Sequence, residues 1–216
     1  MIRCRWLEAA PYETTWHRMR DFTRQRTLGT PDEIWLTEHT PVYTLGVAGK
    51  RSHILHATSI PVVQCDRGGQ VTYHGPGQLT LYGLFNLRRY GLFVRDYVRL
   101  IEDVLINMLH ELDVPACRMP GAPGVYVPAG HSAHELNKLA ALGIRVSKGC
   151  TYHGLSLNVD MDLTPFSSIN PCGYQGMQAT DLKSCGVSLT LQQVGDQLAA
   201  RLQSALNQRH CGPSVC

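Results

Sequence analysis

Three kinds of residue in this chain could do covalent or acid–base chemistry. They are a cysteine on a proline–glycine bend, histidines in two matching tetrads, and basic side chains beside glycine-rich backbone. Cys172 stands in Asn170-Pro171-Cys172-Gly173-Tyr174, within a stretch from Pro165 to Gly176 that has neither helical nor strand period. Proline fixes the backbone before it and glycine frees the backbone after it, which presents a thiol better than a core position does. Cys4, Cys65, Cys117, Cys185, Cys211 and Cys216 read as inert small hydrophobes, and Cys150 as a weaker rival. A cysteine nucleophile needs its thiolate, which an adjacent cation favours. Lys138, His74, His153, Lys148 and Arg67 are the candidates. Lys138 opens a mostly apolar run, where an ammonium either has a task or reaches out to water.

The chain is organised around Arg67-Gly68-Gly69-Gln70-Val71-Thr72-Tyr73-His74-Gly75-Pro76-Gly77-Gln78. Its glycines permit turns and a close approach of main-chain amides to a ligand, while Val71-Thr72-Tyr73 has strand character. It lacks the ending of a phosphate loop and the third spaced glycine of a dinucleotide fingerprint. Two readings stay open at this point: a glycine-rich hairpin between core strands, or one wall of a binding site. The tetrad Thr72-Tyr73-His74-Gly75 recurs as Thr151-Tyr152-His153-Gly154, which suggests two neighbouring strands presenting a histidine to one cleft.

The elements that must position these residues follow from periodicity. Pro11–Arg26 and Val94–Leu112 carry helical apolar spacing, and a third helix starts at Thr190, which forms a capping box with Gln193. Strands are expected at 33–37, 42–45, 61–64, in the glycine-rich segment, from Leu79 towards Leu87, at 125–127, at 138–146, and from Leu155 to Leu163 with one face wet. Helices set between groups of strands indicate an α+β fold. No stretch cuts the chain in two, so residues 1–216 are expected to be a single catalytic domain with a short tail at 207–216.

Composition narrows the function. With 216 residues and 44% hydrophobic content the chain can bury a real core. A net charge of +3 without a dense basic run gives no case for nucleic acid, and suits an acidic protein partner. There is no apolar run of membrane-spanning length and no signal-peptide pattern at the start, so no membrane association and a cytoplasmic location are expected. The eight scattered cysteines then read as reduced thiols, and Cys150 with His153 makes only half a zinc site, so no metal is expected.

Taken together, these motifs resemble the lipoyl(octanoyl) transferase family. The resemblance is carried by the run Arg67–Gln78, the lysine of Lys138-Leu139-Ala140-Ala141-Leu142-Gly143-Ile144-Arg145-Val146, Gly149-Cys150-Thr151-Tyr152-His153-Gly154, and Leu157 through Tyr174. It spans Thr15 to about Leu206. It implies a biotin/lipoate protein ligase-like fold, a mixed, largely antiparallel sheet with flanking helices. It implies octanoyl transfer from acyl carrier protein to a lysine amine of lipoyl domains, those of 2-oxoacid dehydrogenase complexes and of the glycine cleavage H protein, by a monomer without a cofactor. Cys172 matches the family's acyl-thioester nucleophile and Lys138 its paired lysine. Arg67, Gly68, Gly69, Gln70, Val71, Thr72, Tyr73 and His74 match the acyl-substrate segment. Ala141, Leu142 and Gly143, with Gly154, Leu155 and Ser156, match two further stretches of the same pocket. In one place the chain departs from the pattern: Pro128–Asn137 reads as a longer loop than the family's tight turn, which makes Lys148 the alternative to Lys138. A ligase on the same fold would instead require ATP and could dispense with Cys172. A non-catalytic carrier-binding scaffold would bind partners equally well without that thiol.

Overall fold

The protein's structure is a computed structural model that describes residues 2–56, 59–130, 132–170 and 176–209, with the backbone alone at 132–134. The elements run β1 (Ile2–Trp6), α1 (Tyr12–Gln25), β2 (Asp32–Thr37), β3 (Val42–Leu45), β4 (Val62–Gln64), β5 (Val71–His74) and β6 (Gln78–Leu84). They continue as α2 (Val94–Glu111), β7 (Cys117–Met119), β8 (Ala122–Ala129), β9 (Ser132–Ser147), β10 (Cys150–Asn158) and α3 (Leu191–Asn207). Seven strands form one sheet in the order β1-β2-β6-β10-β9-β8-β7, antiparallel except for β1 with β2. The other three form a small sheet, β4-β3-β5, with β3 parallel to β4 and antiparallel to β5. This is the expected α+β arrangement with a mixed, largely antiparallel sheet.

Alternation along the strands sorts residues between the two faces of the large sheet. Leu79 and Leu81 of β6 and Leu155 and Leu157 of β10 join the main core with Tyr97, Ile101, Leu105 and Leu109 of α2 and Val194, Leu198 and Leu202 of α3. The next residue, Tyr82, points the other way and packs with Met19 of α1, Trp35 and Tyr152. Helix α3 begins as its sequence dictates: Thr190 accepts from the Gln193 amide at 3.2 Å, and Gln193 returns a bond to the Thr190 amide at 2.9 Å.

Three expectations need correction. Pro128–Asn137 is no loop: β8 runs to Ala129, turns through Gly130, and β9 returns in register with Pro128 opposite Leu136 and Tyr126 opposite Lys138. The hairpin tip carries the exposed Glu135 and half-buried Leu136 and Asn137, and the polarity of Glu135 and Asn137 imitated a loop. The alternation from Leu155 to Leu163 does not leave one face wet. The strand ends at Asn158, and Ser156 and Asn158 on its polar face are each only 4% exposed, because other chain segments cover them. Finally, the two tetrads lie in different sheets, Thr72-Tyr73-His74 in β5 and Thr151-Tyr152-His153 in β10.

Candidate active site

The segment from Arg67 to His74 stands over β9, β10 and β6 and bounds a narrow cleft that is partly open to solvent. Glycine is required where the two walls touch. A Cβ on Gly143 would lie 2.9 Å from the Gly68 carbonyl oxygen and 3.0 Å from Cδ of Arg67. The Gly68 amide donates to the Ile144 carbonyl at 3.1 Å, which ties the glycine-rich segment to β9.

Arg67 is only 7% exposed, and its hydrogen bonds go to protein oxygens. Nε and Nη2 donate to Thr44 Oγ1 (3.1 and 2.9 Å), Nη1 to the Gly68 carbonyl (2.9 Å), and Nη2 to the carbonyls of Thr44 and Gln70 (2.5 and 2.7 Å). Its guanidinium thus shapes the segment and places a positive charge beneath the cleft. The network continues. Thr44 Oγ1 accepts from Arg67 and so has its own proton to give His74 Nε2, at 3.3 Å. The Gln78 amide nitrogen donates to the Tyr73 carbonyl and Asn158 Oδ1. That leaves Gln78 Oε1 as the acceptor for His74 Nδ1 at 2.7 Å. The bonding therefore fixes His74 as a neutral ring protonated on Nδ1. Burial, seconded by repulsion from His39, depresses its pKa from 6.5 to about 3.

At this end of the cleft the Tyr12 ring lies between two imidazoles, nearly parallel to His74 at 5.5 Å and to His153 at 6.4 Å between centroids. The Tyr12 hydroxyl meets His153 Nδ1 at 3.3 Å, and His153 Nε2 donates to Asp66 at 2.9 Å. His153 has a positive φ of 61° inside a strand, a conformation that favours glycine and signals a position held by its surroundings. Burial lowers the pKa of His153 and of His39, whose Nε2 bonds the Tyr82 hydroxyl at 2.6 Å. Burial alone would raise the Asp66 carboxyl, but hydrogen bonds from His153, Tyr152 and Trp16 outweigh it and hold that group well below the usual range. Both tetrad histidines line one cleft, as expected, and both are bound neutral.

Lys138 forms part of the opposite wall and is 5% exposed, so it does not reach out to solvent. Its Nζ donates to the Tyr126 hydroxyl at 3.1 Å and the Pro123 carbonyl at 3.3 Å, and stands 5.1 Å from the centre of the Tyr126 ring. Its own backbone bonds Gln178 and Thr180, which holds residues 178–180 against β9. A buried ammonium needs such partners, since transfer from water is otherwise prohibitive. Lys148 is exposed on the β9–β10 turn and lines no part of this cleft.

Among the expected residues, Arg67, Gly69, Gln70, Val71, Thr72, His74, Lys138, Ala141, Leu142, Gly143, Gly154, Leu155 and Ser156 line the cleft. Tyr73 does not; it faces the other side of β5 and packs against Tyr43 and Phe166. Gly68 belongs to a neighbouring groove. Cys172 lies outside the described residues. Sequence reasoning missed Tyr12, Thr80, Tyr82 and Asn158, which also line the cleft. Among the described residues no group of His, Cys, Asp and Glu is arranged to hold a metal, and no helix is long and apolar enough to cross a membrane.

Residues 11–203 match the family model for the lipoyl protein ligase A/B catalytic domain. An octanoyltransferase of Bordetella petrii is 60% identical over 204 residues, which cover 94% of this chain and 95% of that protein. The chain belongs to the octanoyltransferase family. Octanoyltransferases thus share their fold with far more distant enzymes. A bipartite lipoate protein ligase of Thermoplasma acidophilum superposes with a TM-score of 0.74 at 15% identity, over 95% of this chain and 83% of that one. A biotin protein ligase of Aquifex aeolicus gives 0.54 at 14% identity, over 95% and 69%.

Proposed function

We propose that this octanoyltransferase moves an octanoyl group from acyl carrier protein to a lysine of a lipoyl domain through a thioester on Cys172. As an acyltransferase it must hold an apolar chain and activate a nucleophile beside it. The observation that carries the reading is the buried Lys138 ammonium in the wall of a cleft floored by Ala141, Leu142, Leu155 and Ser156. Apolar and small side chains suit a saturated acyl group, and the ammonium favours a thiolate over a thiol. Residues 178–180, held to the Lys138 backbone, lead back to Gly173 and Cys172 within a few residues, which supports a cysteine at this cleft.

In the first step the Cys172 sulfur attacks the octanoyl carbonyl carbon, a new S–C bond forms as the carrier's S–C bond breaks, and the carrier's sulfur leaves with the proton given up by the Cys172–Lys138 pair. In the second the acceptor's neutral ε-amine attacks the same carbon, the amide forms, and the amine's proton returns to the leaving Cys172 sulfur or its partner lysine. Splitting the transfer spares a mostly protonated amine from meeting the carrier directly. Exposing the enzyme to octanoyl carrier alone should add one octanoyl mass to Cys172, removable by hydroxylamine. Completed transfer without that adduct, or transfer that requires ATP, would defeat the scheme.

A further inference from the structure

Away from the cleft, the β9–β10 turn and helix α1 frame a groove lined by Arg20, Asp21, Arg24, Lys148 and Tyr152. Arg88 lies against the same turn, its Nε 3.1 Å from where a Cβ on Gly149 would stand, and Arg145 faces Tyr152 across the β9–β10 ladder. Arg20, Arg24, Arg88, Arg145 and Lys148 are all exposed. Two carboxylates oppose them. Asp21 pairs with Arg24 at 2.9 Å, and Asp66 turns inward to Trp16, Tyr152 and His153. Five cations less two carboxylates leave this face with +3, the net charge of the whole chain, so the remainder of the molecule balances to zero. The cations are also held in place. Arg20 sits over the Trp16 ring at 5.3 Å, and Lys148 occupies a left-handed position (φ 52°) before Gly149 (φ 81°). Asn, Asp or Gly would be the relaxed choice there.

We propose that this face docks the acidic acyl carrier that delivers the octanoyl thioester, an inference that rests on the transfer proposed above. Charge complementarity selects an acidic partner and raises its rate of encounter. Distance selects the donor over the acceptor. Along β9, Lys148 is five residues from Gly143 at the edge of the cleft, roughly 17 Å at about 3.3 Å per residue. A lysine side chain of a docked acceptor spans only about 6 Å at roughly 1.25 Å per bond. A carrier, whose thioester ends a long flexible arm, bridges the gap. The docked face is also joined to the site, because Tyr152 bonds Asp66, the residue before Arg67.

The test uses the full chain with Arg24→Glu and Lys148→Glu combined, against an equal charge reversal at the exposed Arg3 and Arg209. Binding of octanoyl carrier is titrated at several salt concentrations, and acylation is timed with octanoyl carrier and with a small octanoyl thioester. The docking-face variant should bind the carrier at least tenfold more weakly with a flatter salt dependence. Its acylation by the small thioester should stay within twofold, and the control should resemble the native enzyme. Unchanged carrier affinity, an equal loss in the control, an equal loss with the small thioester, or a loss confined to the lipoyl-domain half-reaction would each overturn the proposal. Patch-dependent binding with no acyl group ever reaching Cys172 would instead defeat the transfer reading and leave the docking face standing.

Discussion

Replacing His74 by asparagine should flatten the acid side of the protein's stability profile. His74 is 5% exposed and titrates near 3 when folded, against 6.5 for an ordinary imidazole. Its folded pKa is depressed, so below pH 6.5 the unfolded chain takes up a proton that the folded chain refuses. Stability from this ring is therefore complete above pH 6.5 and drains away as pH falls towards 3. At about 1.4 kcal/mol per pH unit, the loss reaches roughly 2.7 kcal/mol two units below the ordinary pKa. That is a large share of the ~5–15 kcal/mol that holds a domain together. Asparagine keeps a donor for Gln78 Oε1 but cannot titrate. Urea unfolding of both proteins at pH 7.5, 6, 5 and 4.5 separates the effects. The variant should be less stable at pH 7.5 by about 1–3 kcal/mol, from an imperfect fit in the network. Its decline below pH 6 should be shallower by about one proton. His39 and His153, also depressed by burial, leave a residual slope in both proteins. Parallel profiles would refute the argument, since they would mean that His74 titrates alike in the folded and unfolded chain.

Two further substitutions bear on the cleft. Lys138→Met keeps length and apolar stem but removes the ammonium, so alkylation of Cys172 at neutral pH should slow and its pH profile should move upward, with acyl transfer reduced by about 10²–10⁴-fold; an unchanged alkylation profile would remove Lys138 as the activator. Gly154→Ala would force a Cβ to 1.9 Å from the Leu81 carbonyl oxygen, which only a shift of the β6–β10 ladder can relieve. Thermal unfolding should show a loss of at least ~3 kcal/mol, far beyond an ordinary surface change, and a variant of native stability would show that the ladder yields freely there.

How legible the molecule was in its sequence depended on which physical signal each part sends. Helix α2, the Thr190 cap and strands β2, β3 and β4 announced themselves, because periodicity and capping are local, whereas β1 and β7, with no apolar alternation of their own, went unread. The β8–β9 hairpin did not. Its tip outgrows the core, so residues such as Glu135 and Asn137 carry no apolar alternation, although Asn137 pairs with Val127 and the register shifts just beyond Leu136. Lys138 was ambiguous for a similar reason: only the register opposite Tyr126 shows that its ammonium is enclosed.

Tyr12 marks the deeper limit. It opens α1 in step with Trp16 and Met19, and that spacing reports only that it points inward. Met19 points into packed core, whereas Tyr12 lines a cleft between two histidines that come from strands in different sheets. Hydrophobic periodicity measures direction, and a cavity wall and a core contact share the same direction. What distinguishes them is the chemistry across the gap. Here that chemistry is imidazoles kept neutral by burial and by partners already committed to one another. A ring system so fully satisfied has little left to offer a polar ligand and presents mainly aromatic faces to the cleft. It is therefore suited to bound an apolar guest, and on the transfer proposed above the reacting carbonyl would point towards the Lys138 ammonium, while the Arg67 guanidinium at the other end is already committed to the oxygens of Thr44, Gly68 and Gln70.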